Sequence, residues 1–334
     1  GIHAKRVIRL ALLGAGESGK TTLSRQMRST YGDGFSKNYL LEHRNLIRSN
    51  LIKTILTLIE EAEERNVGKF SLEAQELIQD VKELDMDDAG MYQINEDLGY
   101  AVGKIWRDPI IQQVYTMRSQ FQLDENAKHF LDLAEMICRD NYRASQNDII
   151  RNRVRTVGRS AINFEIRGQK FEMVDVGGQR SERAKWKRGF ENLTSVIFVA
   201  ALSAYNQVSI EDSKRSRTEE ALDLFEQVAC SDEMKNIRDC SLILFLNKKD
   251  VFKEKLEVEK IPLTVCPAFK DYKGKAKYDE ALDYVIKQFQ KRVKTNRDVF
   301  IYDVCAVDTE NVIRIFNSVK KTILRSALDY AGLQ

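Results

Sequence analysis

The chain has 334 residues, 43% hydrophobic and 31% charged, the make-up of an ordinary globular protein with room for two domains. A net charge of +3, with no long basic or aromatic-interleaved face, argues against a nucleic-acid partner. Cys138, Cys230, Cys240, Cys266 and Cys305 are scattered and never spaced C-x-x-C, and His3, His43 and His129 stand apart. That excludes a disulfide scaffold and a Cys/His metal site, and leaves the reduced thiols expected of a cytosolic protein.

In chain order, Val7-Ile8-Arg9-Leu10-Ala11-Leu12-Leu13 reads as a buried strand, and the segment through Leu23 and Met27 as a helix. Between them stands Gly14-Ala15-Gly16-Glu17-Ser18-Gly19-Lys20-Thr21, a G-x-x-x-x-G-K-[ST] loop. Strand, glycine loop and helix is the context in which successive backbone N–H groups converge on one anion at the positive end of a helix. The expected phosphate contacts are Glu17, Ser18, Gly19, Lys20, Thr21 and Thr22. Lys20 would reach the β- and γ-phosphates, and the Thr21 hydroxyl would ligate Mg²⁺.

From about Phe35 to Asp148 the pattern is helical almost throughout, with apolar residues three and four apart, as at Leu51, Ile55 and Leu58. On either side strands and helices alternate, which indicates a mostly parallel α/β sheet. Further strands are expected at Ile162–Arg167, Lys170–Asp175, Ser195–Leu202, Ser241–Asn247 and Val299–Cys305. The first two of these, joined by Gly168-Gln169, are expected to be antiparallel. An all-helical domain, residues 35–150, is thus predicted inside an α/β domain made of residues 1–34 and 151–334.

After the helical block comes Arg151-Asn152-Arg153-Val154-Arg155-Thr156, which alone would read as a solvated basic face. The strand from Lys170 then ends in Asp175-Val176-Gly177-Gly178-Gln179-Arg180. Asp175 has the place of a carboxylate that holds Mg²⁺ through water. Gly178 would let a backbone N–H approach a γ-phosphate, and Gln179 stands where a side chain could orient a water. D-x-x-G by itself is weak; the phosphate loop upstream gives it weight.

The strand Leu242–Leu246 ends in Asn247-Lys248-Lys249-Asp250. A fixed Asp250 carboxylate would accept two hydrogen bonds from guanine N1–H and the exocyclic amine, which adenine cannot offer. Asn247 can meet the N7 and O6 side of the base or brace the phosphate loop, and the Lys248 stem can lie over the ring. Cys305 and Ala306 follow the last strand, where a backbone N–H could meet the guanine oxygen. A kinase passing phosphate from ATP would need no such base reader, and an inert guanine-loaded module would need neither Arg153 nor Gln179.

GAGESGKTT, RNRVRT, DVGGQRSERAKW, FLNKKD and VCAVDTENV together resemble heterotrimeric G protein alpha subunits, in order and spacing, over nearly the whole chain. The resemblance implies a P-loop GTPase (Ras-like) domain with a mostly parallel six-stranded sheet, interrupted by an inserted all-helical domain. It implies a GTPase switch that binds GTP and GDP with Mg²⁺ on the cytoplasmic face of the plasma membrane. Its partners would be a beta–gamma dimer, a G-protein-coupled receptor, a downstream effector and an RGS-type GTPase accelerator. By the same resemblance Arg153 matches the built-in arginine finger, and Arg151 lies beside it at the nucleotide. Thr156 matches the second Mg²⁺ ligand with Thr21 and Asp175, and Gln179 the water-positioning glutamine. Lys20, Arg153 and Gln179 are therefore the expected catalytic set. Glu17 would pair with Arg153 in the resting state, and Glu125 would reach Lys248 across the nucleotide. Asp308 through Leu328 looks like the helix by which a receptor acts on the nucleotide site, with Asp308 or Thr309 as its cap.

Some positions depart from the family pattern. The long amphipathic N-terminal helix with its lipid anchor is absent and little chain precedes Val7, so truncation is expected. Val157 and Val307 stand where Thr is usual, and Ala204 and Asn206 where acidic residues are common. Ala331 takes the place of a cysteine that some members carry.

Overall fold

The computed structural model describes residues 7–84, 92–156, 158–188, 193–209, 211–212, 214–230, 240–295 and 297–330. Val157 and Ala331 lie outside them. The fold divides into two compact units, one spanning Phe35–Val154 and the other assembled from the chain on both sides of it.

In the α/β unit, β1 (Ile8–Leu13) leads through the phosphate loop into α1 (Lys20–Tyr31). The helical unit follows, with α2 (Lys37–Glu64), α3 (Leu72–Lys82), α4 (Glu96–Arg107), α5 (Pro109–Thr116), α6 (Ala127–Asp132), α7 (Ala134–Ile137) and α8 (Gln146–Arg151). The α/β unit resumes with β2 (Arg159–Ile166), β3 (Gln169–Val176), α9 (Arg180–Arg183), β4 (Ser195–Ala201) and α10 (Arg217–Cys230). It ends with β5 (Ser241–Asn247), α11 (Lys249–Lys253), α12 (Tyr278–Gln290), β6 (Val299–Asp303) and α13 (Thr309–Tyr330).

The six strands form one sheet in the order β2-β3-β1-β4-β5-β6. Only β2 and β3 pair antiparallel, in register from Arg159 opposite Val176 to Ile166 opposite Gln169; the other neighbours are parallel. The strands from β1 and β3 through β6 therefore share one carboxyl edge. At that edge β1, flanked by β3 and β4, is the point where the chain winds outward in both directions, the usual place for a ligand.

Alternation along each strand sends side chains to opposite faces. Ala11, Leu13, Phe198, Leu244 and Leu246 share a core with Leu222, Phe225 and Val228 of α10 and with Ala281, Val285 and Phe289 of α12. Leu10, Leu12, Phe171, Met173, Val199 and Phe245 share another with Leu23 and Met27 of α1 and with Val312, Phe316 and Val319 of α13. Each buried Leu, Val, Phe or Met among them contributes about 1.5–3 kcal/mol, so both faces of the sheet are firmly covered.

In the helical unit Ile47, Leu51, Ile55, Leu58 and Ile59 line α2 and pack with Val102, Ile105, Ile111, Leu131 and Ile137. Ser36 starts α2 by accepting a bond from Tyr39 N–H (3.2 Å), as a helix N-cap requires. Asp108 closes α4 and caps α5, whose first residue is Pro109.

The expected strands are present with shifted ends. β2 begins three residues earlier than its apolar pattern, because the polar Arg159 and Ser160 extend the backbone pairing with β3. β6 ends two residues early, where Val304, Cys305 and Ala306 leave as a buried loop. α13 starts at Thr309, and Asp308 is the cap: its Oδ1 accepts from Asn311 N–H at 3.0 Å. Among the described residues no helix is long and apolar enough to cross a membrane.

Candidate functional site

At the carboxyl edge the phosphate loop comes first. Gly19 precedes α1 in the left-handed region (φ 100), and a Cβ there would lie 2.1 Å from Asn247 Nδ2. Glycine alone fits. No side chain caps α1, so its first N–H groups form the kind of helix start that receives an anion. Lys20 is buried and donates to the Gly14 and Ala15 carbonyls at 3.0 and 2.9 Å. Burial draws its pKa down to about 8; the Asp175 charge opposes this and Arg183 adds to it. Thr22 follows half-buried on α1.

Thr21, Thr156 and Asp175 come together from three segments. Thr21 Oγ1 donates to Asp175 Oδ2 (2.7 Å) and lies 2.5 Å from Thr156 Oγ1. Asp175 is buried, its Oδ1 has no hydrogen-bond partner among the described residues, and burial holds its carboxyl above the usual range against Lys20. Ser18 Oγ is likewise buried without a hydrogen-bond partner among the described residues. Two hydroxyls and one carboxylate in need of positive charge fit Mg²⁺, which keeps several waters and takes few protein ligands. Among the described residues no cluster of three His, Cys, Asp or Glu offers a closed, all-protein metal site.

The loop after β3 closes on the phosphate loop. A Cβ on Gly178 would come 2.4 Å from Gly14 O and 2.7 Å from Ala15 O. Gln179 is half-buried ahead of α9, and its Oε1 has no hydrogen-bond partner among the described residues. Arg183 Nε donates to Gly178 O (2.9 Å) and its Nη2 to Glu220 Oε1 of α10 (2.6 Å). Glu182 Oε2 accepts from Gly158 N–H at 2.8 Å, joining α9 to the Thr156 segment. Trp186 is buried and donates Nε1–H to Gly177 O (3.0 Å).

On the other side Asn247 is a brace. Its Nδ2 donates to Ser18 O (2.9 Å) and its Oδ1 accepts from Ala306 N–H (3.0 Å). One buried amide thereby joins the phosphate loop to the loop after β6. Lys248 is left-handed (φ 63), and Asp250 is exposed in the first turn of α11. Burial, then the charge and hydrogen bond of Asp250, push the Cys305 thiol up to about 12. Cys305 N–H donates to Asn311 Oδ1 at 3.0 Å.

Glu17, itself left-handed at φ 61, pairs its Oε2 with Arg217 Nη1 at 2.9 Å. Arg217 also donates to Gln207 Oε1 (2.9 Å) and Gly16 O (3.4 Å). The sequence reading omits Arg217, Arg183 and Glu220. Arg217 and Glu220 lie in the first turn of α10 and Arg183 ends α9, as residues of a solvated charged face would, and only their partners distinguish them. Asn206, at one of the departures from the family pattern, accepts at Oδ1 from the buried Lys255 Nζ (2.9 Å).

Arg151 and Arg153 fall in the helical unit. There Arg151 donates from Nε to Asn147 Oδ1 (3.0 Å) and from Nη1 to Asn126 Oδ1 (3.3 Å). The Arg153 side chain is exposed, and its carbonyl accepts from Asn50 Nδ2 at 2.9 Å. Glu125 is half-buried in the same unit.

Comparison with known proteins gives the family. A family model described as G-protein alpha subunit matches residues 2–323. The guanine nucleotide-binding protein G(o) subunit alpha of Locusta migratoria is 36% identical over 337 residues, covering 100% of this chain and 92% of that protein. The G(o) subunit alpha of Caenorhabditis elegans is 36% identical with the same coverage. The alpha-7 subunit of C. elegans is 36% identical over 98% of this chain and 91% of its own length. The chain therefore belongs to the G protein alpha subunit family, whose members are guanine-nucleotide-binding signal transducers with GTPase activity.

Proposed function

We propose that this chain is a slow, regulated GTP hydrolase whose bound nucleotide sets which partner it holds. The observation that carries the reading is the convergence of Thr21, Thr156 and Asp175 beside the phosphate loop. Thr21 and Thr156 hydroxyls would hold Mg²⁺ directly and Asp175 through water. Bound there, the ion would supply positive charge to offset the negative charge of the phosphate oxygens. Lys20 and Arg153 offset negative charge developing on the phosphoryl oxygens, and Gln179 orients the attacking water. Asp250 reads guanine, with Asn247 and Ala306 fixing the loops around the base and Lys248 over the ring. Glu17 through Thr22 and Arg151 complete the nucleotide contacts, and Glu125 meets Lys248 to slow GDP loss.

The Thr156 segment and Gly178 are the parts that respond to the γ-phosphate. Its loss releases both, and α9 with them, which is an order-to-disorder switch. By family membership the GDP form pairs with a beta–gamma dimer, a receptor opens the nucleotide site through α13, and the GTP form meets an effector and an RGS-type accelerator. The setting is the cytoplasmic face of the plasma membrane, reached through a lipid anchor. Residues 35–150 act as an inserted helical domain.

Single-turnover hydrolysis tests this reading. Gln179→Leu should leave GTP binding nearly intact and slow hydrolysis by about a hundredfold or more. Parental hydrolysis in that variant would overturn the assignment.

A further inference from the structure

Strands β5 and β6 run parallel with Leu246 opposite Asp303. Beyond them the backbone ladder continues: Val304 N–H donates to Leu246 O (2.8 Å) and Lys249 N–H to Val304 O (3.3 Å). Side chains extend the same connection. Lys249 Nζ lies 3.1 Å from Asp303 Oδ2 and 3.4 Å from Asp303 O. Tyr278, the first residue of α12, donates its hydroxyl to the same Oδ2 at 2.9 Å. Its own N–H is fixed on Glu257 Oε1 (2.9 Å), and its ring packs edge-on against the buried Phe252 of α11. One carboxylate thus ties together the N-K-K-D loop, the end of β6 and the start of α12.

This loop needs an anchor. Lys248 holds a left-handed conformation that costs a residue with a side chain roughly 1–2 kcal/mol, so the turn is kept by its neighbours and not by local preference. Asp250 follows one residue after Lys249 and is exposed, and its carboxylate is bonded to the Cys305 thiol, so its place depends on how the two loops are held together. Two hydrogen bonds to one base edge require that carboxylate to be placed within a few tenths of an ångström.

We propose that Lys249, Asp303 and Tyr278 form a latch that holds the Asn247–Asp250 loop in register with the Cys305–Ala306 loop. Asp303 is then a positioning residue for guanine selectivity and GDP retention. The proposal rests on the reading of Asp250 as the guanine acceptor. Because Lys249 and Asp303 are both partly exposed, the effect is modest, about two- to fivefold on release.

The test is the dissociation of fluorescent GDP and of its hypoxanthine analogue IDP, which lacks the 2-amino group, from the full chain. Asp303→Asn and Lys249→Met should each speed GDP release about two- to fivefold and narrow the preference for GDP over IDP. The double variant should be no faster than the faster single, since the two side chains act through one contact. Single-turnover hydrolysis should match the parent in both. Additive effects, or equal acceleration for GDP and IDP, would overturn the latch and leave the pair as general support. Asp250→Asn is the control. If it narrows the GDP preference while Asp303→Asn does not, the latch fails alone; if it changes nothing, the reading of the loop fails with it. Should Asp303→Asn not fold, Lys249→Met carries the same comparison.

Discussion

Arg183 Nη2 and Glu220 Oε1 stand 2.6 Å apart, so the helix that follows Gln179 is fastened to α10 by an ion pair whose carboxylate is buried. Ser209 Oγ donates to the other oxygen of Glu220 at 2.9 Å, and Arg183 also holds Gly178 O. Burial alone would raise the Glu220 pKa; the bonds from Arg183 and Ser209 outweigh it and hold the carboxyl below its usual range. The carboxylate is therefore charged throughout the physiological range, and the fastening is insensitive to pH there. Glu220→Ala would leave Arg183 and Ser209 without that acceptor, at a cost of about 2 kcal/mol. The expected result is that a GTP analogue no longer protects the α9 arginines from trypsin, while GDP binding persists. Protection equal to the parent would show that α9 is held by other contacts.

The second fastening, Glu17 to Arg217, ties the phosphate loop itself to the start of α10. Glu17 occupies a left-handed conformation, so its place depends on what grips it. Both side chains are largely but not fully buried, and removal of the pair should cost about 1 kcal/mol. Arg217→Ala should then release fluorescent GDP about fivefold faster, with base preference unchanged. Release at the parental rate would mean that none of the Arg217 contacts, to Glu17, Gly16 or Gln207, helps to retain the nucleotide.

For the hydroxyl and carboxylate cluster, the expectation concerns cation dependence. Thr156→Ala removes a hydroxyl that touches Thr21 Oγ1, and Asp175→Asn removes the buried carboxylate beside it. Each should raise the Mg²⁺ concentration needed for half-maximal retention of a GTP analogue by about tenfold or more. GDP retention should change much less, since no γ-phosphate is then present to share the ion. A Mg²⁺ titration of analogue release, with unchanged midpoints in both variants, would remove the cluster from the proposed metal site.

These fastenings also show what the sequence makes legible. Phosphate-loop, D-x-x-G and N-K-x-D residues are readable because each sits where a strand ends, and local backbone chemistry dictates the residue type. Gly19 is required by a Cβ clash with Asn247, and a glycine at the right interval carries that information in one dimension. The sheet is readable because β1, the second half of β3, β4 and β5 are near-continuous apolar runs, as strands buried on both faces are, and only strand ends move by a few residues. Arg217 and Glu220 carry no such mark. Their partners lie some 200 and 37 residues away, and a charged helix start looks the same whether it faces water or a phosphate loop. The sequence leads Glu17 to be expected opposite Arg153; within the α/β unit the structure gives it Arg217 as a partner. Asp303 escaped notice because the strand pattern absorbed it as an edge residue, although it is the strand's last position.

In the helical unit Asp148 allows a prediction with a defined sign. His129 Nε2 lies 3.2 Å from its Oδ1, while Tyr142 OH (3.1 Å) and Ser145 N–H (2.9 Å) donate to Oδ2. Burial would raise the carboxyl, but these bonds together hold it at about 2 against an ordinary 3.8. A depressed carboxyl contributes stability above its unfolded pKa and loses it as pH falls toward the folded value. The contribution, about 2 kcal/mol at neutral pH, should therefore fade between roughly pH 5 and pH 2. Asp148→Asn keeps the shape and removes the charge. With Trp186→Phe in both chains, Trp106, which donates to Asp132 Oδ1, is left as the one tryptophan and reports on this unit. Urea unfolding followed by its fluorescence should give a gap of about 2 kcal/mol between parent and Asp148→Asn at pH 7, closing steadily below pH 5. A gap that stays constant to pH 3 would mean that Asp148 stabilises the start of α8 through its capping geometry alone, with its charge contributing nothing.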